Sequence, residues 1–166
     1  METIDKSLIG VAGEFLVAAE LCRRGIYAQP TFGNQKRIDL LAFGDRPGKI
    51  VKLEVKSKQQ SDWPNCKGIH EADTFLVFVD FHERTPEDKP EFFVLSAAEW
   101  RSVVMKVKRD YQKNHPSRRA VVGKDNVLVL PDEVNKQGKP YQGAGVKPEM
   151  IKAHAGAWHK IKEALG

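Results

Sequence analysis

Apolar residues recur at spacings of three and four along the first stretch of the chain: Leu8, Val11, Ala12, Phe15, Ala18, Ala19 and Cys22. That period predicts a helix over residues 5–24. Asp5 or Ser7 can cap its start, Arg23 and Arg24 suit the negative end of its dipole, and Gly25 suits the residue just past it. The rest of its surface (Ile9, Leu16, Val17, Leu21) is apolar too, so the helix is expected to be covered on several sides. Within LIGVAGEFLVAA the one charged residue is Glu14. A carboxylate enclosed by apolar neighbours needs a partner.

After Gly25 the pattern changes to short runs rich in β-branched and aromatic residues, separated by turn residues. Strands are predicted at Ile26–Thr31, Arg37–Phe43, Ile50–Ser57, Thr74–Phe81 and Glu91–Leu95. The run TFLVFVDF is the most continuously apolar and is expected inside a sheet. SDWPNCKGIHEAD reads as loop with one helical turn, and HERTPEDKPE as a charged loop. Ser96 caps a long helix through about Asn114, stopped by Pro116. Val127–Leu130 is a further short strand candidate. PDEVNKQGKPYQGAG has the composition of an irregular, mobile segment. Pro148 sits in the first turn of a closing helix, Lys147–Leu165.

With 166 residues, the chain is most simply one domain: a core over 1–114 and a basic extension over 115–166 that ends in a helix and packs on the core. At 41% hydrophobic and 30% charged it reads as an ordinary globular protein that needs no disulfide staples. No apolar run is long enough for a membrane span, and METIDKS lacks the pattern of a signal peptide. A cytoplasmic protein with two reduced thiols, Cys22 and Cys66, is the expectation. Paired His or Cys spacing for zinc is absent. The net charge of +5 is unevenly spread. Residues 1–100 hold 13 Lys/Arg against 16 Asp/Glu, whereas residues 101–166 hold 14 against 6. A basic segment beside a mildly acidic one fits an anionic polymer such as nucleic acid, or simply a lysine-rich solvated surface.

Candidate chemistry centres on VKLEVKS. Val51, Leu53 and Val55 alternate with Lys52, Glu54 and Lys56, so Glu54 and Lys56 share one strand face. A carboxylate and an ammonium so placed can meet around one bound atom, the first holding a hard divalent cation, the second a water or developing phosphate charge. Alone, the pair also fits an exposed ion pair. Asp39, flanked by Ile38, Leu40 and Leu41, is disfavoured inside a strand and costly to bury unpaired. One strand–turn–strand step separates it from Glu54, and two adjacent carboxylates call for a cation or proton between them. Glu14 either faces that cation, directly or through water, or pairs with an arginine such as Arg37. Lys36, Arg37, Lys58 and Gln59 flank the proposed site and are candidate phosphate contacts or solvated residues. Trp63 can stack on a base or pack in a loop. Trp100 and Trp158 read as core, His70 and His82 as surface.

In order and spacing these residues resemble the PD-(D/E)xK nuclease superfamily, closest to archaeal-type Holliday junction resolvases and similar small endonucleases. The pattern is GxxGE ending at Glu14, Gly25, Ile38-Asp39-Leu40, then Leu53-Glu54-Val55-Lys56-Ser57. It covers residues 8–81 and extends less firmly through EFFVL and the following helix. Ile38 replaces the usual proline, and some fifty residues continue past the expected core. The resemblance implies an α/β, restriction-endonuclease-like α-β-β-β-α-β core with a mixed central sheet flanked by helices, plus a C-terminal helical extension. It implies Mg²⁺-dependent hydrolysis of DNA phosphodiesters, with Mn²⁺ able to substitute, on DNA that is branched or otherwise distorted in repair or recombination. Asp39, Glu54 and the Val55 carbonyl would hold the metal, Lys56 would position or activate water, and Glu14 would assist. A homodimer follows from the resemblance and from the symmetry of two-strand cleavage. Two other readings compete: a nucleic-acid-binding module of the same fold without turnover, and an α/β domain whose carboxylates merely form ion pairs.

Overall fold

The computed structural model describes residues 4–31 and 38–166. The predicted first helix is α1, Lys6–Cys22, capped by the Asp5 carboxylate on the Ser7 N–H. Strands β1 (Tyr27–Pro30), β2 (Leu40–Phe43) and β3 (Ile50–Lys58) follow as an antiparallel meander. After β4 (Trp63–Cys66), the chain enters β5 (Thr74–Asp80) parallel to β3, then β6 (Glu91–Ser96) antiparallel to β5. The central sheet is mixed, in the order β1-β2-β3-β5-β6. Every residue of β5 is buried, as its unbroken apolar run requires.

Helix α2 (Ala97–Asn114) starts in a capping box: the Glu99 N–H donates to Ser96 Oγ, and the Ser96 N–H donates to the Glu99 carboxylate. The two sheet faces bury different residues. Val51, Leu53, Val55, Phe75, Val77 and Val79 pack with α1 residues and with Ile161 and Leu165 of the last helix. Leu76, Phe78, Phe93 and Leu95 pack with Trp100 and Val104 of α2 and with Trp63 of β4. Helices thus flank a mixed sheet, the α/β architecture expected from the sequence.

The segment after α2 departs from expectation. The short strand expected at Val127–Leu130 is present, but residues 131–145 are not irregular, and residues 115–147 hold four strands. These are β7 (Val121–Val122), β8 (Leu128–Val134), β9 (Pro140–Gln142) and β10 (Ala144–Val146). The first three make a small antiparallel sheet, and β10 pairs with β4 across Ala144↔Cys66 and Val146↔Trp63. Between β9 and β10 the chain presses on β4 at Gly143, φ +110°, where a Cβ would lie 2.6 Å from Asn65 O. The loop predicted around Trp63 is therefore a strand, and its partner lies some eighty residues later. The predicted closing helix is broken into α3 (Pro148–Ile151), a 3₁₀ turn (Lys152–His154) and α4 (His159–Leu165), with Gly156 at φ +59° between them. Trp100 and Trp158 are buried as expected.

Candidate metal centre at the parting of two strands

Main-chain directions along β3 define the site. The Lys52 N–H donates to Asp73 O, and the Phe81 N–H donates to Lys58 O, each at 2.9 Å. Even-numbered residues of β3 therefore turn their peptide groups toward β5, and odd-numbered ones toward β2. The ladder of β2 with β3 runs from Phe43↔Ile50 to Leu40↔Leu53, and its last backbone bond is from the Asp39 N–H to Leu53 O at 2.9 Å. The next odd residue is Val55. Its N–H finds the Asp39 carboxylate, Oδ2 at 2.6 Å, in place of a backbone carbonyl. In an extended strand the C=O of Val55 points the same way as its N–H. Asp39 and the Val55 carbonyl thus face the gap where the two strands part.

Glu54 and Lys56 lie on the opposite sheet face from α1, in register with Leu76 and Phe78 of β5. The Glu54 carboxylate is only 5% exposed and lies 2.8 Å through Oε1 from Lys56 Nζ. Its other oxygen, Oε2, is buried and has no hydrogen-bond partner. An orphaned buried carboxylate oxygen is costly, and a cation is the partner that best removes the cost. A cavity of about 160 Å³ opens on Glu54, lined also by Ile38, Lys52, His70 and Glu71. Lys52 is tied to Glu71 at 2.7 Å and Asp73 at 3.2 Å. His70 is exposed, as expected, whereas Lys52 was given no role from the sequence. The available signal was the position of Lys52, two residues before Glu54 on one strand face.

Glu14 reaches the same electrostatic field from α1. Burial pushes its carboxyl above the ordinary glutamate range, the Asp39 charge pushes it further, and Lys56 pulls it back. The helix comes this close because residue 13 is glycine. A Cβ there would stand 1.9 Å from Ser57 Oγ.

The candidate donors are hard oxygens: the Asp39 carboxylate and Val55 carbonyl at the gap, and the carboxylate of Glu54 on the preceding residue of β3. Among the described residues no three His, Cys, Asp or Glu side chains close on one point as a ready-made cage. That incomplete set fits Mg²⁺, which keeps several waters and binds through one or two carboxylates plus phosphate oxygens.

Other candidates divide. Lys58 departs from its expected place among phosphate contacts. Its side chain is 3% exposed, its ammonium bonds Asp80 Oδ1 at 2.5 Å and Gln60 O at 2.9 Å, and it sits 4.5 Å from the centre of the Trp63 ring. Trp63 is buried in the core and not open to a base. Gln59 lies at the end of β3 beside the start of α1, its Oε1 accepting from the Ile4 N–H at 3.1 Å. It lines a groove of about 360 Å³ with Lys6 and Gln60. Lys36 and Arg37 fall outside the described residues.

The cysteines have opposite surroundings. Cys66 is buried and its thiol is pushed up to about 12, chiefly by that burial. Cys22 is exposed. Native protein is expected to show one fast-reacting thiol with a chromogenic disulfide reagent and a second only on denaturation; two fast thiols would contradict this packing.

No described helix is long and apolar enough to cross a membrane. No protein-family model matches the chain. No curated protein matches it. Among solved structures the chain is similar to a bacterial homing endonuclease, I-Ssp6803I, with 15% sequence identity and a TM-score of 0.48 over 98% of this chain and 95% of that one.

Proposed function

We propose that the chain is a metal-dependent endonuclease that hydrolyses phosphodiester bonds in DNA, built on the PD-(D/E)xK plan. One observation carries the reading. Asp39 keeps its main-chain bonds to Thr31 and Leu53 while its carboxylate takes the Val55 N–H, and the preceding residue of β3, Glu54, is buried with an unpartnered oxygen and Lys56 at 2.8 Å. Asp39, Glu54 and the Val55 carbonyl would hold Mg²⁺, with Mn²⁺ able to replace it. When bound, the ion supplies Lewis acidity toward the scissile phosphate. Lys56 orients a water through its ammonium and offsets negative charge that grows on the phosphate. Glu54 holds Lys56 in place. Glu14 adds a third carboxylate to the field, which favours a bound cation further. Lys36, Arg37 and Gln59 are candidates for contacts to flanking phosphates. Branched or distorted DNA is the proposed preferred substrate.

The test is cleavage of a panel comprising single strand, duplex, flap, four-way junction and RNA, in Mg²⁺ and in Mn²⁺, with Lys56→Ala as the contamination control. Metal-dependent cutting that disappears in Lys56→Ala supports the reading and names the substrate. Salt-sensitive binding without cutting would replace it with a binding module.

Glu14 yields a pH prediction with a definite sign. Its carboxyl is raised from 4.5, so in the window above that value the folded protein holds a proton that the unfolded chain has released. Stability therefore falls as pH rises through the window. Glu14→Gln is expected to melt higher than the parent at neutral pH without metal, the gap closing on acidification. Its cleavage rate is expected to fall at least about 10-fold, a gain in stability set against activity. A lower melting point at neutral pH would mean that Glu14 has a stabilising partner.

A further inference from the structure

The basic surplus of residues 101–166 divides into paired and unpaired cations. Arg118 is held by Glu133, Arg119 by Asp132 and Lys160 by Glu99. By contrast, Arg101, Lys106, Arg109 and Lys113 of α2, and Lys124 in the turn before β8, are exposed and make no ion pair among the described residues.

Arg101 is oriented as well as exposed. Its Nη1 donates to Asn126 Oδ1 at 2.8 Å, a neutral acceptor, so the guanidinium is held while its charge stays uncompensated. Asn126 is itself fixed. It is buried at φ +59°, its Nδ2 donates to Ile69 O at 2.9 Å, and its carbonyl accepts from Trp100 Nε1 at 3.2 Å. A groove of about 490 Å³ opens on Arg101, Lys124, Asn126 and His70, and no described carboxylate lines it. The acids nearby are engaged elsewhere: Glu71 and Asp73 with Lys52, Glu99 with Lys160, and Asp125 Oδ1 with the Val127 N–H. Ile69 and His70 also line the cavity that opens on Glu54. The two hollows therefore meet at one stretch of chain, and the bond from Asn126 to Ile69 fixes Arg101 relative to it.

We propose that this groove carries the DNA strand as it leaves the candidate metal centre, with Arg101 and Lys124 as its phosphate contacts. The remaining N–H donors of Arg101 suit a two-pronged grip on phosphate oxygens, and Lys124 adds a point charge. A polymer fits better than one small anion because the charge continues past the groove. Lys106, Arg109 and Lys113 recur three and four residues apart along exposed α2, one side of the helix. The identity of the polymer rests on the nuclease reading; the groove and its charges do not.

The test is fluorescence anisotropy of a labelled duplex and a labelled four-way junction across a salt series, with Ca²⁺ in place of Mg²⁺ to slow cutting. The proteins are the parent, Arg101→Gln, Lys124→Gln and, as a control of equal charge change, Lys136→Gln on the turn between β8 and β9. All three positions are exposed, and unchanged melting curves check the fold. Each groove variant is expected to weaken binding about 3- to 10-fold and to reduce the slope of log K against log salt by about 1, with Lys136→Gln near the parent. Arg101→Lys should restore the slope and only part of the affinity. Groove variants that bind like Lys136→Gln, or a parent that binds neither DNA, would overturn the proposal. A parent that binds DNA but cuts none in Mg²⁺ or Mn²⁺ would remove the nuclease reading and leave the groove to be decided by the slopes. Where the parent cuts, Arg101→Gln should raise KM and keep kcat within about 3-fold. A loss confined to kcat would overturn the phosphate-contact role.

Discussion

Glu54→Gln is expected to lower metal-dependent DNA cleavage by about 10²–10⁴-fold while leaving the protein folded and no less stable. Both halves of the outcome come from one carboxylate. Its Oε2 is buried without a partner, so removing the charge removes a cost in the metal-free protein. Its loss also takes one of two carboxylates from the proposed metal position. Lys56→Ala should give a comparable rate loss with a different signature. Metal binding, followed by calorimetry with Mn²⁺, should weaken in Glu54→Gln and persist in Lys56→Ala, because the ammonium is not a ligand. Unchanged cleavage in both variants would remove the nuclease proposal.

The largest effect on stability is expected at Asp80. Its carboxylate holds the buried Lys58 ammonium at 2.5 Å and accepts the His82 N–H at 2.9 Å. Asp80→Ala leaves an unpaired ammonium inside the protein, at a cost of about 3–5 kcal/mol. For a chain of this size that lowers the melting temperature by roughly 10 °C. Replacing both members with apolar residues of similar volume, Lys58→Met with Asp80→Leu, should recover most of the loss. If the single variant melted within about 1 °C of the parent, the ammonium would be reaching water.

The same pair illustrates what the amino-acid order could and could not reveal. Asp39, Glu54 and Lys56 stood out because charged residues interrupted apolar strand patterns within one meander, where register follows from short turns. The structure brings Asp39 onto the Val55 N–H and sets Glu54 beside Lys56. Lys58 looked like one more basic residue near the site. Its partner comes from a parallel strand 22 residues away, a pairing that needs a crossover no local pattern announces. Strand β4 was hidden for the same reason. WPNC has a proline and no alternation, and only residues 144–146 give it a ladder. Val127–Leu130 was legible as a strand, but residues 131–145 looked irregular because their strands are short and rich in glycine, proline and lysine. Leu8, Val11 and Phe15 of α1 were legible as apolar, but their exposure was not. A helix that is apolar all round announces that it will be covered without saying by what.

The β4–β10 ladder has a consequence for the order of events during synthesis. Cys66, close enough to feel the charges of Glu54 and Lys56, is held in place by Ala144. All of the proposed site residues have left the ribosome long before residue 144 is made. The central sheet can assemble from the first hundred residues, but the wall beside Glu54 waits for a strand that closes a loop of some eighty residues. A nascent chain would therefore carry every proposed ligand and still lack a finished site. Competence for the proposed cleavage is expected only after residues 144–146 have been made and paired with β4.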